Sequence, residues 1–528
     1  MRKRNFFKQL LGATSALTLL ALPGLAAAQD RPTDPSTVDI LDVLVEKGVL
    51  TRQDADGVLS EARRRAETRE AVVRVPYVPE AVREQIRDEI RQEVIETAKA
   101  EGWAQPGSPR PSWLDRLTFS GDVRVRGEGL LYQGTNTPLV IDTNAVNEDG
   151  EYSELEVLPF RNTIDNRVRG RVRARFGVDV AINDYVSAGV RFATGDLRDS
   201  TSTNATLTRS FGRYQAGFDR AYVKLTPFAG ESMFRGTGLV LGKFDNPFLS
   251  TEAIFDRDLQ FEGAAATLAV NFGADAGAPR AFVTGGAFPL EEYEFTASDK
   301  YLFAGQVGGS AEIVPGFRFA AAGAIYHYQG LQGEYNTPGL RDNDFTAPSR
   351  VQFGNSLFNL RRDATVVNSV LFGLASEFSV ASVYARAEFD VSAALVGSLE
   401  FEGARNLAFD AADLTARAVP GSSGDTLFHG RARIGHRDMD ARGGWSFAAG
   451  YRSIEADATP DLFTDSDFGL GGTDQDGFVI SGSWTPLDRM TLTGSWYSAR
   501  TIDLLGADGT PALPIDTDTV QLDLGVKF

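Results

Sequence analysis

The stretch NRVRGRVRARFGVDV, Asn166 to Val180, alternates with a period of two over its whole length. Val168, Gly170, Val172, Ala174, Phe176, Val178 and Val180 share one face of a strand, and Arg167, Arg169, Arg171, Arg173 and Arg175 share the other. Two environments suit such a strand. A soluble sandwich would turn the apolar face to its core and leave five stacked guanidinium groups in bulk water. A transmembrane barrel inverts the pattern, with the apolar face against lipid and the arginines in a wet lumen. This strand alone leaves both open, and the rest of the chain has to decide.

Met1 to Ala28 reads as a secretory signal, with Arg2, Lys3, Arg4 and Lys8 before an apolar run from Leu10 to Leu25 and an Ala26-Ala27-Ala28 cleavage site. No later apolar run approaches the ~20 residues of a spanning helix, so a mature chain in a membrane must cross it with strands. Cysteine is absent, which excludes a disulfide framework, a thiolate metal site and a thiol nucleophile. The formal net charge of -18 becomes about -22 once the four cations of the leader are removed, so nucleic acid is not an expected partner.

Between Pro35 and Gly102 the period turns helical. Ile40, Leu41, Leu44 and Val45 make a stripe that stops at Gly48; Thr51 with Asp54 marks a capped restart. A second helix opens at Pro79 and places Val82, Ile86, Ile90, Val94 and Ala98 four residues apart. It suits either a polar helix on a neighbouring surface or a coiled-coil trimer stalk. The expected organisation is a signal at 1–28, a periplasmic helical segment at 29–104, a proline-rich linker at 105–116 and a barrel from 117 to 528.

From Leu117 onward alternating segments recur, separated in turn by tight turns such as Asn183-Asp184 and Val314-Pro315-Gly316 and by long polar stretches such as Gln133 to Arg161. That asymmetry is expected of a Gram-negative outer-membrane barrel, whose periplasmic turns are short. About seventeen strand candidates can be found, but entry and exit on one side demand an even number. Val366 to Glu377, which runs into the next strand without a turn signal, is therefore assigned to a loop. Sixteen antiparallel strands and eight long loops remain, the fifth loop being the longest and expected to pack over or into the mouth. The last strand, TVQLDLGVKF, alternates up to Phe528 and resembles the terminal strand of outer-membrane proteins, an assembly signal read by the barrel-assembly machinery.

GKFDNPFLSTEAIFDRDLQFEG (Gly242 to Gly263), VSAGVRFATGD, WLDRLTFSGDVRVRGEG and PEAVREQIRDEIRQEV together resemble the putative porin family of proteobacteria over most of the mature chain. The resemblance implies a water-filled diffusion channel in outer-membrane lipid, a homotrimer, and no named substrate.

In such a barrel Arg124, Arg126, Arg167, Arg169, Arg171, Arg173, Arg175, Arg191, Arg220 and Lys224 fall in phase with polar positions and are expected to line the pore. Asp245, Glu252, Asp256 and Asp258 lie in or beside the third long connection and are candidates for an acidic constriction loop, although a dozen residues is short for reaching mid-lumen. Glu388, Asp390, Glu400 and Glu402 suggest acids on the opposite wall, with Arg431, Arg433 and Arg452 complicating that balance. His327, His429 and His436 are dispersed and read as wall residues. Asp467 to Asp476 lacks the ligand order of a calcium loop and reads as a solvated external loop. No catalytic constellation, metal site or cofactor is expected. The function expected is passive diffusion of small hydrophilic solutes, with weak anion preference. Two alternatives stay open: a phosphate-selective porin using the arginine ladder, and an outer-membrane anchor whose helices bind peptidoglycan or a partner.

Overall fold

The computed structural model describes residues 114–149, 158–208, 210–275, 277–294, 298–361, 370–419, 422, 424–503 and 514–528. The signal, the helical segment and nearly all of the linker lie outside the described residues.

Nineteen strands occur among the described residues, and sixteen of them close an antiparallel barrel. These are β1 (Leu117–Tyr132), β2 (Arg167–Ala181), β3 (Val186–Thr194), β5 (Ala216–Leu225), β6 (Gly238–Asp245), β7 (Gln260–Asn271), β8 (Arg280–Glu291), β9 (Lys300–Val314) and β10 (Phe317–Gln329). After a long connection follow β13 (Phe378–Asp390), β14 (Leu395–Asn406), β15 (Thr426–His436), β16 (Trp445–Ile454), β17 (Gln475–Leu487), β18 (Met490–Thr501) and β19 (Asp516–Lys527). Three short strands belong to loops: β4 (Ala205–Thr206) adds to β2, and β11 (Leu357–Asn359) pairs with β12 (Phe372–Leu374). The described part of Val366 to Glu377, from Val370 onward, thus contributes no barrel strand, as the missing turn signal predicts.

Closure runs from Asp122 opposite Lys527 to Tyr132 opposite Thr517. Phe528 extends the ladder by one pair, its N–H donating to Gly121 O at 3.0 Å and its carbonyl accepting from Gly121 N at 3.0 Å. At the short-turn end, Asn183 Oδ1 accepts the N–H groups of Tyr185 and Val186, both at 2.9 Å, which sets the reversal between β2 and β3.

The outward face is apolar all round. Phe119, Val123 and Val125 on β1, Val168 and Phe176 on β2, Val283 on β8, Val307 on β9 and Leu522 on β19 are all exposed. Water would not tolerate so continuous a belt, whereas acyl chains require it. Aromatic rings mark its edges: Tyr301 stacks on Phe303 at 5.8 Å, and Phe401, Phe428, Tyr451 and Phe478 form a row across four neighbouring strands with centroids 5.4, 6.4 and 5.1 Å apart.

The inward face departs from the simple alternation. On β1 and β2 it is charged, but on the long-loop halves of β7 to β10 and β13 it is largely apolar. Phe261, Phe288, Leu302, Tyr326, Tyr328 and Phe378 all point into the barrel and are buried. They are dry because a loop fills that half of the interior.

The fifth long connection, 330–377, is a hub for the others. Asn144 and Asn147 from the first loop bond Val351 and Phe372, Gln332 bonds Asp413 in the sixth, and Asn355 bonds Ala456 and Thr459 in the seventh.

Candidate functional site

The segment that fills the barrel is bounded by two glycines. Gly242 on β6 and Gly263 on β7 stand opposite each other in register, with φ of +110° and +136°. A Cβ at either would come within 2.3 Å of a carbonyl on the flanking strand, Ala221 O or Ala287 O. Only glycine combines this backbone with this approach. Beyond the pair the hairpin leaves the wall: β5 has no β6 partner above Ala221–Lys243, and β8 has no β7 partner above Ala287–Ala264. Phe244 and Phe261, the next inward pair, turn into the core, and residues 246–259 follow them across the interior.

Short as it is, this connection reaches the far walls. Gln306 on β9 bonds both the N–H and the carbonyl of Leu249, at 2.8 and 2.9 Å; Thr251 N–H donates to Glu402 on β14 at 2.5 Å. Glu252 meets Arg431 on β15 at 3.0 Å, and Asp258 meets Arg173 and Arg175 on β2 at 3.4 and 3.3 Å. Ala253, Ile254 and Phe255 between them are buried against the aromatic wall, with Phe255 edge-on to Phe261 and Tyr326, both at 5.0 Å.

The other face of the segment borders a cavity of about 710 Å³ inside the barrel. Eight arginines and seven carboxylates line it, a formal excess of one positive charge. Serines and threonines of β16 to β18, among them Ser446, Ser481, Ser483 and Thr493, make its uncharged side.

Of the residues singled out by sequence, the cavity collects Arg124, Arg126, Arg173 and Arg175, the acids Glu252, Asp256 and Asp258, and from the opposite wall Glu400, Arg431 and Arg433. Arg126 is buried between Asp523 and Asp467, each at 2.7 Å, and Arg124 bonds Asn204 at 2.7 Å. Arg173 and Arg175 also share Asp122, at 2.8 and 2.7 Å. The remaining ladder members lie elsewhere. Arg169 and Arg171 converge on Glu128 at 2.5 and 3.5 Å; Arg167 is exposed at the long-loop end of β2. Arg191 pairs with Asp219, Arg220 with Asp245 and Gln260, and Lys224 is exposed near the short-turn end of β5. Asp245 therefore serves the wall gap beside β5 and not the cavity.

The sequence reading missed the inward packing of the seventh long loop, 455–474. Far from being a solvated external loop, it packs inward and supplies Asp465, Ser466 and Asp467 to the cavity. It is bonded back to back with the inward segment, Asp256 N–H to Phe463 O at 2.8 Å and Asp465 N–H to Glu252 O at 3.0 Å. Each half uses the same short device: Asp256 Oδ1 accepts from Asp258 N at 2.7 Å, and Asp465 Oδ1 from Asp467 N at 3.0 Å. The repeated Asp-x-Asp, together with Leu462, Phe463 and Phe468 in a stretch otherwise rich in Gly and Asp, is the signal that could have exposed it.

Arg452 joins the two loops to the wall. Its side chain is 1% exposed, bonds Asp465 at 2.9 Å, approaches Glu252 at 3.5 Å and His429 Nδ1 at 3.4 Å, and lies 4.7 Å from the Phe468 ring centroid. Burial would raise the Glu252 carboxyl, but Arg257, Arg431 and Arg452 outweigh it and hold the group well below the usual carboxylate range. Burial, with Asp465 and Asp258 adding to it, pushes the Asp256 carboxyl well up. His327 is exposed on the outer face, and His436 accepts from Trp445 N at 3.2 Å. Among the described residues, no group of three or more His, Cys, Asp or Glu side chains is placed to hold a metal ion.

A family model described as putative porin matches residues 34–528. Among solved structures, Pseudomonas putida OprB at high pH is similar at 12% identity and TM-score 0.42, over 80% of this chain and 97% of that one. The outer-membrane channel DcaP of Acinetobacter baumannii is similar at 11% identity and TM-score 0.38, over 78% and 97%. OmpF of Salmonella typhi, in complex with daunomycin, is similar at 9% identity and TM-score 0.38, over 78% and 97%. No curated protein sequence matches the chain.

Proposed function

The chain belongs to the putative porin family of outer-membrane barrels, and from that premise we propose that it conducts small hydrophilic solutes and ions passively through the charged half of its interior. The observation that carries this reading is the cavity of about 710 Å³, walled by guanidinium groups, carboxylates and hydroxyls inside a closed barrel. Wet, charge-lined space of this kind replaces a solute's hydration shell at little cost. In this reading the segment 246–259 with Glu252, Asp256 and Asp258 forms one side of a constriction, the 455–474 loop reinforces it, and Arg124, Arg126, Arg173 and Arg175 form the facing wall. The excess of one positive charge supports weak anion preference. The long loops face outward from the cell and the short turns face the periplasm. Each barrel works within a homotrimer, as the family resemblance implies, with Phe528 as its assembly signal.

Phosphate selectivity finds less support. Arg169, Arg171, Arg173 and Arg175 already spend donors on Glu128 and Asp122, leaving no bare ladder for an oxyanion. The anchoring reading concerns helices outside the described residues, and deleting residues 29–112 while following envelope attachment and conductance tests it. Planar-bilayer recording of the purified protein tests the main proposal. Stable steps with a reversal potential of anion sign in a KCl gradient are expected; absence of conductance overturns it.

A further inference from the structure

The barrel wall carries a lateral opening. β7 and β8 are in register from Asn271 opposite Arg280 up to Ala264 opposite Ala287, and then part. Above that point β7 follows β6 inward, while β8 stays with β9, setting Pro289 opposite Tyr301. A wedge opens between strands that elsewhere exchange hydrogen bonds. Its height is fixed by the Tyr301–Phe303 stack on the outer surface, which puts it at the level of an aromatic girdle, where acyl chains give way to headgroups.

A separate cavity of about 200 Å³ occupies the wedge. Phe255, Leu259, Phe261, Phe288, Leu302 and Phe463 line it and are buried. Arg198, Lys243 and Arg350 line it too, with Glu262 and Glu291 as the acids. Glu291 is taken by Lys300 at 2.5 Å, and Lys243 holds Glu262 at 2.5 Å. Arg350 meets Asp199 at 3.0 Å, yet its Nε is buried without a partner. An apolar site of about 150 Å³ accommodates benzene, so this one, at about 200 Å³, admits an aromatic ring or an alkyl chain of medium length. A sugar would lose its hydration there without recovering hydrogen bonds. Cations at the rim of an apolar slot select a solute with a greasy body and a negative end.

We propose that the wedge binds small amphipathic organic anions, aryl or medium-chain alkyl carboxylates, with the apolar part between Phe261 and Phe288 and the carboxylate at Arg350, whose Nε is the donor left over. The proposal rests on the outward orientation of the long loops given above. Phe255 and Leu259 face the wedge, whereas Asp256, Arg257 and Asp258 on the same segment face the charged cavity. Such a solute therefore sits behind the constriction and not in the ion path.

The test uses the full chain in lipid nanodiscs with a photoreactive diazirine analogue of octanoate, supplied in one arm from water and in the other predissolved in lipid. Crosslinks mapped by mass spectrometry are expected on residues 255–262, 288–291 and 302, competed by octanoate or benzoate and not by acetate. Labelling in either arm supports the site and identifies the source of the solute. Leu290→Trp, which fills the slot from β8, should reduce labelling about tenfold while KCl conductance persists; Leu302→Trp on β9 serves if that variant fails to fold. Labelling confined to outward positions such as Val283 and Phe303, or unchanged in a folded variant, overturns the proposal. Conductance without competed labelling removes the wedge site alone, and competed labelling without conductance removes the channel reading alone.

Discussion

On one side of residues 246–259 the barrel is built like the core of a soluble protein, and on the other like an electrolyte. The dry half packs Phe248, Phe261, Phe288 and Tyr326 edge to face at separations of 5.0 to 6.1 Å. The wet half sets eight arginines among seven carboxylates. Stability in the first comes from excluded water and close packing, and in the second from charges that must find partners one at a time. The difference teaches that a lumen is not uniformly a lumen: the same alternating strands line either environment, and the inward segment decides which.

Phe288→Ala should strike hardest. The ring is 1% exposed, and its removal is expected to cost about 4 kcal/mol in urea unfolding from detergent. Ser481→Ala in the wet half should stay within about 0.5 kcal/mol. Equal losses would break the comparison. Arg452→Met comes next, at about 3 kcal/mol, because Asp465 and Glu252 lose a buried partner; both loops should loosen and single-channel noise should rise. Gly263→Val collides with Ala287 O and strains the backbone by about 2 kcal/mol, so the segment should swing outward and conductance increase. A conductance unchanged in this variant would show that the glycine pair does not set the bend.

Smaller effects sharpen the electrostatic side. Burial pushes the Asp461 carboxyl up to about 7, against the opposing guanidinium of Arg161. The folded loop therefore holds its proton more tightly than the free chain does. Docking of the 455–474 loop should be strongest below the ordinary aspartate range and weaken as pH rises through about 7. Limited proteolysis across that range should report it, and Asp461→Asn should flatten the profile. Arg433→Glu, finally, changes the lining from one excess positive charge to one excess negative charge, and the reversal potential in a KCl gradient should move toward cation selectivity.

The barrel itself was largely legible in the sequence. Arg167 to Arg175 alternating with Val168 to Phe176 fixed the orientation of β2, and the parity of strands removed Val366 to Glu377 from the wall. The motif from Gly242 to Gly263 was visible as a unit, but its length suggested a short reach. What sequence could not show is that two paired glycines release eighteen residues, 244 to 261, from the wall together. For the same reason the partners of the ladder were hidden: periodicity places Arg169 and Arg173 on one face, but nothing local says that Glu128 claims the first and Asp258 reaches the second. The dry half was hidden too, because on Ala322, Ala324 and Tyr326 the inward positions are as apolar as the outward ones. Pattern ranks two faces against each other; it cannot tell what later covers them.

The back-to-back bonding of the two inward loops also governs the order in which the molecule can be completed. Residues 246–259 emerge between β6 and β7, whereas Glu402, Arg431, Arg452 and Phe463, which hold them, belong to the final third of the chain. Contacts this distant in sequence are slow to form. A half-inserted sheet therefore has a greasy flap with nothing to close upon, and the passage acquires its width only when the last hairpins arrive.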